Sequence, residues 1–375
     1  MTSTDLTLTQ RPEGQSTTPI YTQPREKFLY LYVTNRCGLR CRHCYVGSER
    51  LDGEDDLTLD RAERILDYFK VTGGHDKLYI LGGEPTINPN LPAMVQLARE
   101  RGYSVTISSN GDFADSVFDA IPPTELASFN FSLESANPAI HRKIRGNPHN
   151  FDRVTDRIRV ARERGYQVRL MCTVSQTNAA AALDLIPLAA DLGAHTLSFH
   201  NLGLTGNAGR FLKPLTPPEW MAFCAAIEAH PGDPRLAVYY PPTFVKIADQ
   251  AIWARRGYPG CPARSFDRPH VYPDGTVYAC PLLMDGPRHY ARFLPSGRLE
   301  INPDPANEMN TYLTADPICT GCSAVGTCGG GCPAYAGMAA YDDAYRCDRD
   351  ITPLCVLWTT HAGQQRPAES LHAFR

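Results

Sequence analysis

Between residue 28 and about residue 200 the chain alternates apolar, strand-like runs with amphipathic helical patterns, and this alternation restricts the fold more than any other feature. The runs "FLYLYVT", "KLYILGG", "YSVTISSNG", "LASFNFSLES", "YQVRLMCTV" and "AHTLSFHNL" recur at fairly regular intervals. Between them, "LTLDRAERILDYFKVTG", "NLPAMVQLARERG" and "FDRVTDRIRVARERG" place apolar residues three to four apart and end at glycine. Six such β/α units predict a mostly parallel sheet covered by helices. Periodicity does not choose between an open sheet and one curved into part of a barrel. In either case ligands favour the loops after the C-terminal ends of the strands. Cys37, Gly82, Asn110, Glu134 and Asn201 fall at or just past such ends.

After residue 210 the pattern changes. "FLKPLTPPEWMAFCAAIEAHPGDP" reads as turn, helix and turn, and beyond "VYYPPTFVKIADQ" the chain becomes rich in Gly, Pro and Cys. The expected division is a polar, Thr-rich lead-in over 1–26, an α/β domain over 27–215, a bridging region over 216–258, a cysteine-rich domain over 259–360 and a tail over 361–375. There is no internal repeat. A formal net charge of -3, with 21% charged residues, gives no bulk basic surface, so a nucleic-acid partner is not expected. No apolar stretch is long enough for a bilayer and no secretory signal opens the chain, which predicts a cytoplasmic protein with no membrane partner.

Thirteen cysteines in a chain of this size do not suggest a disulfide scaffold, which is usually small and secreted. Three lie near the front, eight lie between Cys261 and Cys355, and only Cys172 and Cys224 stand alone. Cys37, Cys41 and Cys44 follow a CxxxCxxC pattern directly after the first strand. Three thiolates on a short loop can ligate three irons of a cubane cluster and leave the fourth iron open. A zinc knuckle completed by His43 or a distant cysteine is the plainer alternative. Arg36, Arg40 and Arg42 could offset the negative charge of thiolates and cluster. "GGEP" at 82–85, read alone, is strand-to-turn punctuation.

Together these stretches resemble the radical S-adenosylmethionine (radical SAM) superfamily. Cys37, Cys41 and Cys44 match its signature motif, and Gly82, Gly83, Glu84 and Pro85 match its methionine-binding segment at the end of the second strand. Ser132 and Glu134 are similar to its ribose-side positions, and "HRKIRG" at 141–146 resembles the stretch that comes after them in many members. His43 stands where an aromatic residue often precedes the last cysteine, and its flat ring could lie against the adenine. The resemblance covers roughly residues 28–210 and implies a partial (β/α)6 TIM barrel. It also implies S-adenosylmethionine as cofactor, an external electron donor such as flavodoxin or ferredoxin, and a 5'-deoxyadenosyl radical that abstracts a substrate hydrogen. Arg145 and Arg169 are alternative partners for the cofactor carboxylate, and Asn110 and Asn178 could contact ribose or serve as caps and turns.

The later cysteines resemble the SPASM extension of that superfamily. Cys261 and Cys280 flank Gly275, then come Cys319, Cys322, Cys328 and Cys332, the last two within "GTCGGGCPAY", and finally Cys347. The resemblance implies a small cysteine-rich domain with a β-hairpin ("YPDGTVYAC") and short helices, carrying two auxiliary 4Fe-4S clusters and so three in all. It assigns Cys319, Cys322, Cys328 and Cys347 to the outer cluster and Cys261, Cys280 and Cys332 to the inner one. Cys355 is spare, and the inner cluster lacks an obvious fourth cysteine.

Auxiliary clusters suit a reaction that must shed an electron. The resemblance therefore implies oxidative modification, by dehydrogenation or bond formation, of a peptide or a small natural-product precursor. Residues 1–26 are too few for the leader-binding domain that peptide maturases often carry, so a separate leader-binding protein is a possible partner. A redox-neutral epimerase would instead need a thiol hydrogen donor. Cys172 fits if it faces the lumen, although a small buried hydrophobe is its plainer reading and that of Cys224. A non-catalytic, cluster-bearing binding or chaperone subunit is a third reading, against which the intact CxxxCxxC and GGEP segments argue.

Overall fold

The computed structural model describes residues 26–51, 53, 55–241, 243–246, 263, 265–284, 289–304, 332, 334–335, 351–353 and 359–360. All six expected strands are present: β1 (Phe28–Tyr32), β2 (Lys77–Leu81), β3 (Ser104–Ser109), β4 (Ser128–Ser132), β5 (Val168–Val174) and β6 (Thr196–Asn201). They pair in sequence order, all parallel. Between them lie α1 (Ser48–Leu51), α2 (Leu59–Gly73), α3 (Leu91–Glu100), α4 (Ser116–Ala120), α5 (Pro138–Arg145), α6 (Asn150–Glu163) and α7 (Leu185–Asp191), followed by α8 (Ala208–Phe211) and α9 (Pro217–Ala229).

Local signals fix the helix ends. The Thr58 side chain accepts from the Arg61 amide at the start of α2, and Gly74 ends that helix in the left-handed region. Asn137 caps the Ala139 amide at the start of α5. Thr216 and Glu219 form a reciprocal capping box at the start of α9.

The strands are two-faced. Leu29, Leu31, Ile80, Val105, Ile107, Phe129, Phe131, Leu170 and Phe199 join helix residues such as Ile65, Phe69, Met94 and Ile158 in one large core. The other face carries Tyr30, Tyr32 and Tyr79, which pack with Val46, Leu51 and Tyr272 in a separate cluster. The sheet curves enough for an inner side chain of β5 to reach β2: Arg169 Nη1 donates to the Tyr79 hydroxyl at 3.5 Å. The mixed α/β fold is thus a partial barrel with helices outside and a lumen inside.

Beyond the expected barrel the structure adds strands to both of its edges. β7 (Ala237–Tyr240) lies within the anticipated bridging region, yet pairs parallel with β6 and makes a seventh parallel strand. The sheet therefore does not stop at residue 215. Four residues between a Pro/Gly-rich turn and a proline are too short for their alternation to stand out. At the other edge β9 (His270–Val271) pairs parallel with β1, and β10 (Thr276–Tyr278), β11 (Ala291–Phe293) and β12 (Leu299–Ile301) continue the sheet antiparallel. The expected hairpin is present, with Gly275 at φ 85°, where its Cβ would lie 2.4 Å from the Phe293 carbonyl oxygen. β14 (Thr359–Thr360) pairs with β7, and β13 (Ile351–Pro353) pairs with β8 (Phe244–Lys246) in a separate ribbon.

Phe129 is fully buried among Phe113, Phe118, Phe131 and Tyr166. Phe129→Ala removes that packing and is expected to cost about 3–5 kcal/mol. Denaturant unfolding followed by circular dichroism measures the loss as a lowered midpoint.

Candidate functional site

The three-cysteine loop leaves the C-terminal end of β1 and crosses the mouth of the barrel. Backbone contact with the segment after β2 holds its start in place: the Gly83 amide donates to the Thr34 carbonyl at 2.9 Å and the Glu84 amide to the Arg36 carbonyl at 2.8 Å. A Cβ on Gly82 would lie 2.5 Å from the Thr34 oxygen, and one on Gly83 would lie 2.3 Å from the Arg36 oxygen. The glycines are therefore required by this main-chain approach, quite apart from any need to admit a cofactor.

Asn207 holds the far end of the loop. Its amide donates to the Cys44 carbonyl at 2.9 Å, its Nδ2 to the Cys41 carbonyl at 3.1 Å, and its Oδ1 accepts from the Ser48 amide at 3.1 Å. The sequence suggests that 201–210 closes the barrel mouth near cofactor and substrate, but it assigns that task to no individual residue. Only the Asn-Gly composition of the segment hints at one, because Asn207's partners are main-chain atoms far away in the chain.

Two buried carboxylates organise the rest of the mouth. Glu84 accepts from Ser109 Oγ at 2.9 Å and Thr86 Oγ1 at 2.8 Å on one oxygen, and from the Asn110 amide at 2.8 Å on the other. It joins the ends of β2 and β3, while Pro85 starts the short 3-10 turn behind it. Burial raises its pKa despite these donors. Asn110, so placed, brings its Nδ2 to 3.7 Å from the Cys37 sulfur. Glu134, just past Ser132 at the end of β4, accepts from the Thr173 amide at 2.8 Å. Its other oxygen lies 3.3 Å from His43 Nε2 and 3.4 Å from Arg145 Nη1. Burial alone would raise this carboxyl, but the His43 ring and the Arg145 guanidinium bring it down to about 2.

The "HRKIRG" helix brings His141 and Arg145 to Glu134 from one face, because residues four apart on a helix share a side. His141 Nδ1 accepts from the Glu134 amide at 3.1 Å, and its Nε2 is 2.9 Å from Asn150 Oδ1. Arg145 is buried, and its charge acts on all three thiols. The loop's own arginines are placed otherwise: Arg36 forks onto Asp56, and Arg40 donates to the Cys37 carbonyl at 2.7 Å. Burial raises the thiols, Cys41 to about 12, so ligation has to displace their protons.

The two arginine candidates part company. Arg145 lies beside the thiols, whereas Arg169, near the start of β5, faces the barrel floor with Phe28, Lys77 and Tyr79. Arg169 is thus corrected from a cofactor contact to a floor residue, because the mouth lies at the other end of its strand. Cys172 is also corrected. It shares a face with Leu170, Val174 and Phe199, is fully buried in the helix-side core, and donates to the Glu134 carbonyl at 3.5 Å. It cannot present a hydrogen atom to the lumen. Asn178 is wholly structural, donating to the Glu134 and Thr173 carbonyls and accepting from Ser175. Cys224 is buried in α9.

Among the described residues, no three His, Cys, Asp or Glu side chains gather closely enough to hold a single metal ion. His43 is turned to Glu134. Of the later cysteines, Cys280 packs with Ala263, Ala279, Phe266 and Leu283, while Cys332 is buried in the main core. Cys261, Cys319, Cys322, Cys328, Cys347 and Cys355 lie outside the described residues, as do residues 1–25 and 361–375.

The site thus sets three thiols and a buried arginine at the mouth of a parallel barrel. Residues 31–178 match the model of the Radical SAM superfamily. That superfamily implies S-adenosylmethionine and a 4Fe-4S cluster. Among curated proteins the chain is similar to an Fe-coproporphyrin III synthase of Methanosarcina barkeri, 25% identical over 48% of this chain and 45% of that one. It is also similar to an S-adenosylmethionine-dependent nucleotide dehydratase of Selenomonas ruminantium, 28% identical over 43% of this chain and 61% of that one. The matches thus span less than two thirds of either relative. Its fold is similar to that of SuiB from Streptococcus suis bound to S-adenosylmethionine, with TM-score 0.62 and 16% identity over 86% of this chain and 76% of that one. Native anSMEcpe with bound AdoMet and Cp18Cys peptide superposes at TM-score 0.59, 16% identical over 82% of this chain and 89% of that one.

The residues present fit these cofactors. Three thiols share one loop, and two buried polar atoms beside them, Arg145 Nε and His43 Nδ1, have no hydrogen-bond partner among the described residues. Such orphans suit a hydrogen-bonding ligand at this position.

This geometry yields two predictions. Gly83→Ala forces the β2 segment off the cysteine loop, so iron bound per chain after anaerobic reconstitution is expected to fall severalfold, with an unchanged far-ultraviolet spectrum. The second concerns acid. Burial lowers His141 to about 4 and His270 to about 3, below the ordinary 6.5. The unfolded chain therefore takes up these protons first, and the stability of the cluster-free protein should fall as pH drops from about 6.5 toward 4. Denaturant midpoints across that range should show a shallower slope for His141→Gln.

Proposed function

We propose that the chain is a radical SAM enzyme with a SPASM-type C-terminal domain, catalysing oxidative modification of a peptide or a small natural-product precursor. The observation that carries this reading is the burial of Arg145 beside all three thiols of the CxxxCxxC loop, directly over the barrel lumen. Cys37, Cys41 and Cys44 would hold the cluster, with Asn110 and Arg145 beside them. The segment from Gly82 to Pro85, with Ser132, Glu134 and His43, would frame the cofactor. When bound, the cluster and S-adenosylmethionine supply a 5'-deoxyadenosyl radical on one-electron reduction by a flavodoxin- or ferredoxin-like donor. The chain's own residues position the reacting groups and exclude competing hydrogen donors. Burial of Cys172 on the helix side serves that exclusion, and with it the Cys172-based epimerase reading loses its hydrogen donor.

A peptide substrate is favoured by two structures of similar fold, SuiB with its precursor peptide SuiA and anSMEcpe with Cp18Cys peptide. Two auxiliary clusters on the later cysteines would receive the electron that oxidation releases, and a separate protein would present the peptide leader. None of the seven described cysteines is in a disulfide, which suits a reducing, cytoplasmic setting.

The test is an anaerobic reaction of reconstituted protein with reductant, deuterated solvent and a panel of peptides and metabolites, read by mass spectrometry. A product lighter by two hydrogens with one 5'-deoxyadenosine per turnover is the expected outcome, and Cys41→Ala should abolish both. Solvent deuterium in a product of unchanged composition would point to epimerisation. Substrate binding with no 5'-deoxyadenosine would overturn the reading in favour of a binding subunit.

A further inference from the structure

The inner face of β3–β6 is unusual for a barrel. A closed (β/α) barrel fills its interior with Val, Ile and Leu, but here every inner position of these four strands except Met171 is polar. Registers stack these positions in layers. Ser108 pairs with Asn130 near the floor, Ser132 with Met171 and Met171 with Ser198 above it, and Thr173 with His200 at the top. Ser108, Ser132, Thr173, Ser198 and His200 are all half-buried, whereas Phe131, Leu170 and Phe199 on the helix side are fully buried. The small side chains thus leave reachable space on the inner side.

Asn130 is the least satisfied member. It is 3% exposed, and among the described residues its Oδ1 has no hydrogen-bond partner and its Nδ2 meets only the Met171 sulfur at 3.9 Å. A buried amide oxygen without a donor is costly, so its retention points to a ligand that supplies one. Two cations of the barrel are ion-paired, Lys77 with Glu26 and Arg145 with Glu134, while Arg169 turns to the neutral Tyr79 hydroxyl at the floor. Burial lowers His200 to about 4, so its ring is neutral at physiological pH. Nothing described on this wall above Arg169 offers a free charge to match an ionised ligand.

Accepting the radical-enzyme reading above, we propose that the inner wall of β3–β6 receives the reacting part of the substrate, and that this part is an uncharged group bearing an amide or hydroxyl. In a peptide it corresponds to an Asn, Gln, Ser or Thr side chain rather than an acidic or aliphatic one. Asn130 receives its N–H or O–H, and the serine and threonine hydroxyls complete the contacts.

The test uses the reconstituted full chain with S-adenosylmethionine and four acetylated, amidated tripeptides that differ only in a central Asn, Ser, Asp or Leu. Affinities are compared by saturation-transfer NMR. The Asn and Ser peptides should bind about tenfold more tightly than the other two, the effect of leaving one buried polar group unpaired. Asn130→Leu and, as a milder change, Ser198→Val should erase that preference while S-adenosylmethionine binding by equilibrium dialysis is retained. Equal or tighter binding of the Asp peptide, a preference that survives both substitutions, or no binding by any of the four overturns the proposal. A preference without 5'-deoxyadenosine production would overturn the radical reading alone and leave the subsite standing.

Discussion

The mouth of this barrel depends on one buried carboxylate. A carboxylate taken out of water is costly unless its oxygens are matched, and Glu134 is matched by partners from three different parts of the chain. Thr173 of β5, Arg145 of α5 and His43 of the cysteine loop meet on its two oxygens. Its main chain binds His141, Asn178 and Cys172. Glu84 plays the matching part between β2 and β3 but with neutral donors only. The contrast appears in their titration: burial prevails at Glu84 and raises it, while the neighbouring His43 ring and Arg145 guanidinium prevail at Glu134 and lower it. One carboxylate carries the local charge balance, and the other holds backbone geometry.

The two sides of the sheet divide the work. The helix side is a continuous apolar core in which Phe129, Phe131, Leu170 and Phe199 are fully buried, and it accounts for the rigidity of the scaffold. The inner side spends its positions on tyrosines along β1 and β2 and on small polar residues along β3–β6. Tyr32 stacks on Tyr272 with ring centroids 4.0 Å apart, and its hydroxyl lies 2.9 Å from that of Tyr45. The aromatic half therefore ties the cysteine loop to the later strands. The polar half remains open.

Much of this was legible in the sequence, and the parts that were not share a cause. Six strands and three long helices stood out because each carries several turns or alternations of its own period. The thiols and the glycine-rich segment stood out because their spacing within the chain is the motif. β7 was hidden by its length. Asn207 was hidden because its bonds go to distant main-chain atoms, which leave no pattern in side-chain identity. Cys172 was readable in principle: in "VRLMCTV" it falls in register with Val168, Leu170 and Val174, the apolar set that faces the helices. Arg169 falls in the opposite set, and its distance from the mouth reflects its place near the start of the strand. The later cysteines form a sequence pattern whose ligand geometry is not part of the described structure.

Residues far apart in the chain complete the barrel's two margins. The β1 edge is covered by β9 and the β7 edge by β14, so the parallel sheet meets these neighbours only after all six of its first strands have been made. During synthesis the first six β/α units emerge with a full set of internal pairings but with bare backbone groups along both margins. A ribosome stalled before residue 270 would therefore release a barrel that is well packed inside yet sticky at both rims. The strands that cover these rims lie in the same stretch of sequence as the later cysteines, so sheet closure and cysteine placement are linked in the order of synthesis.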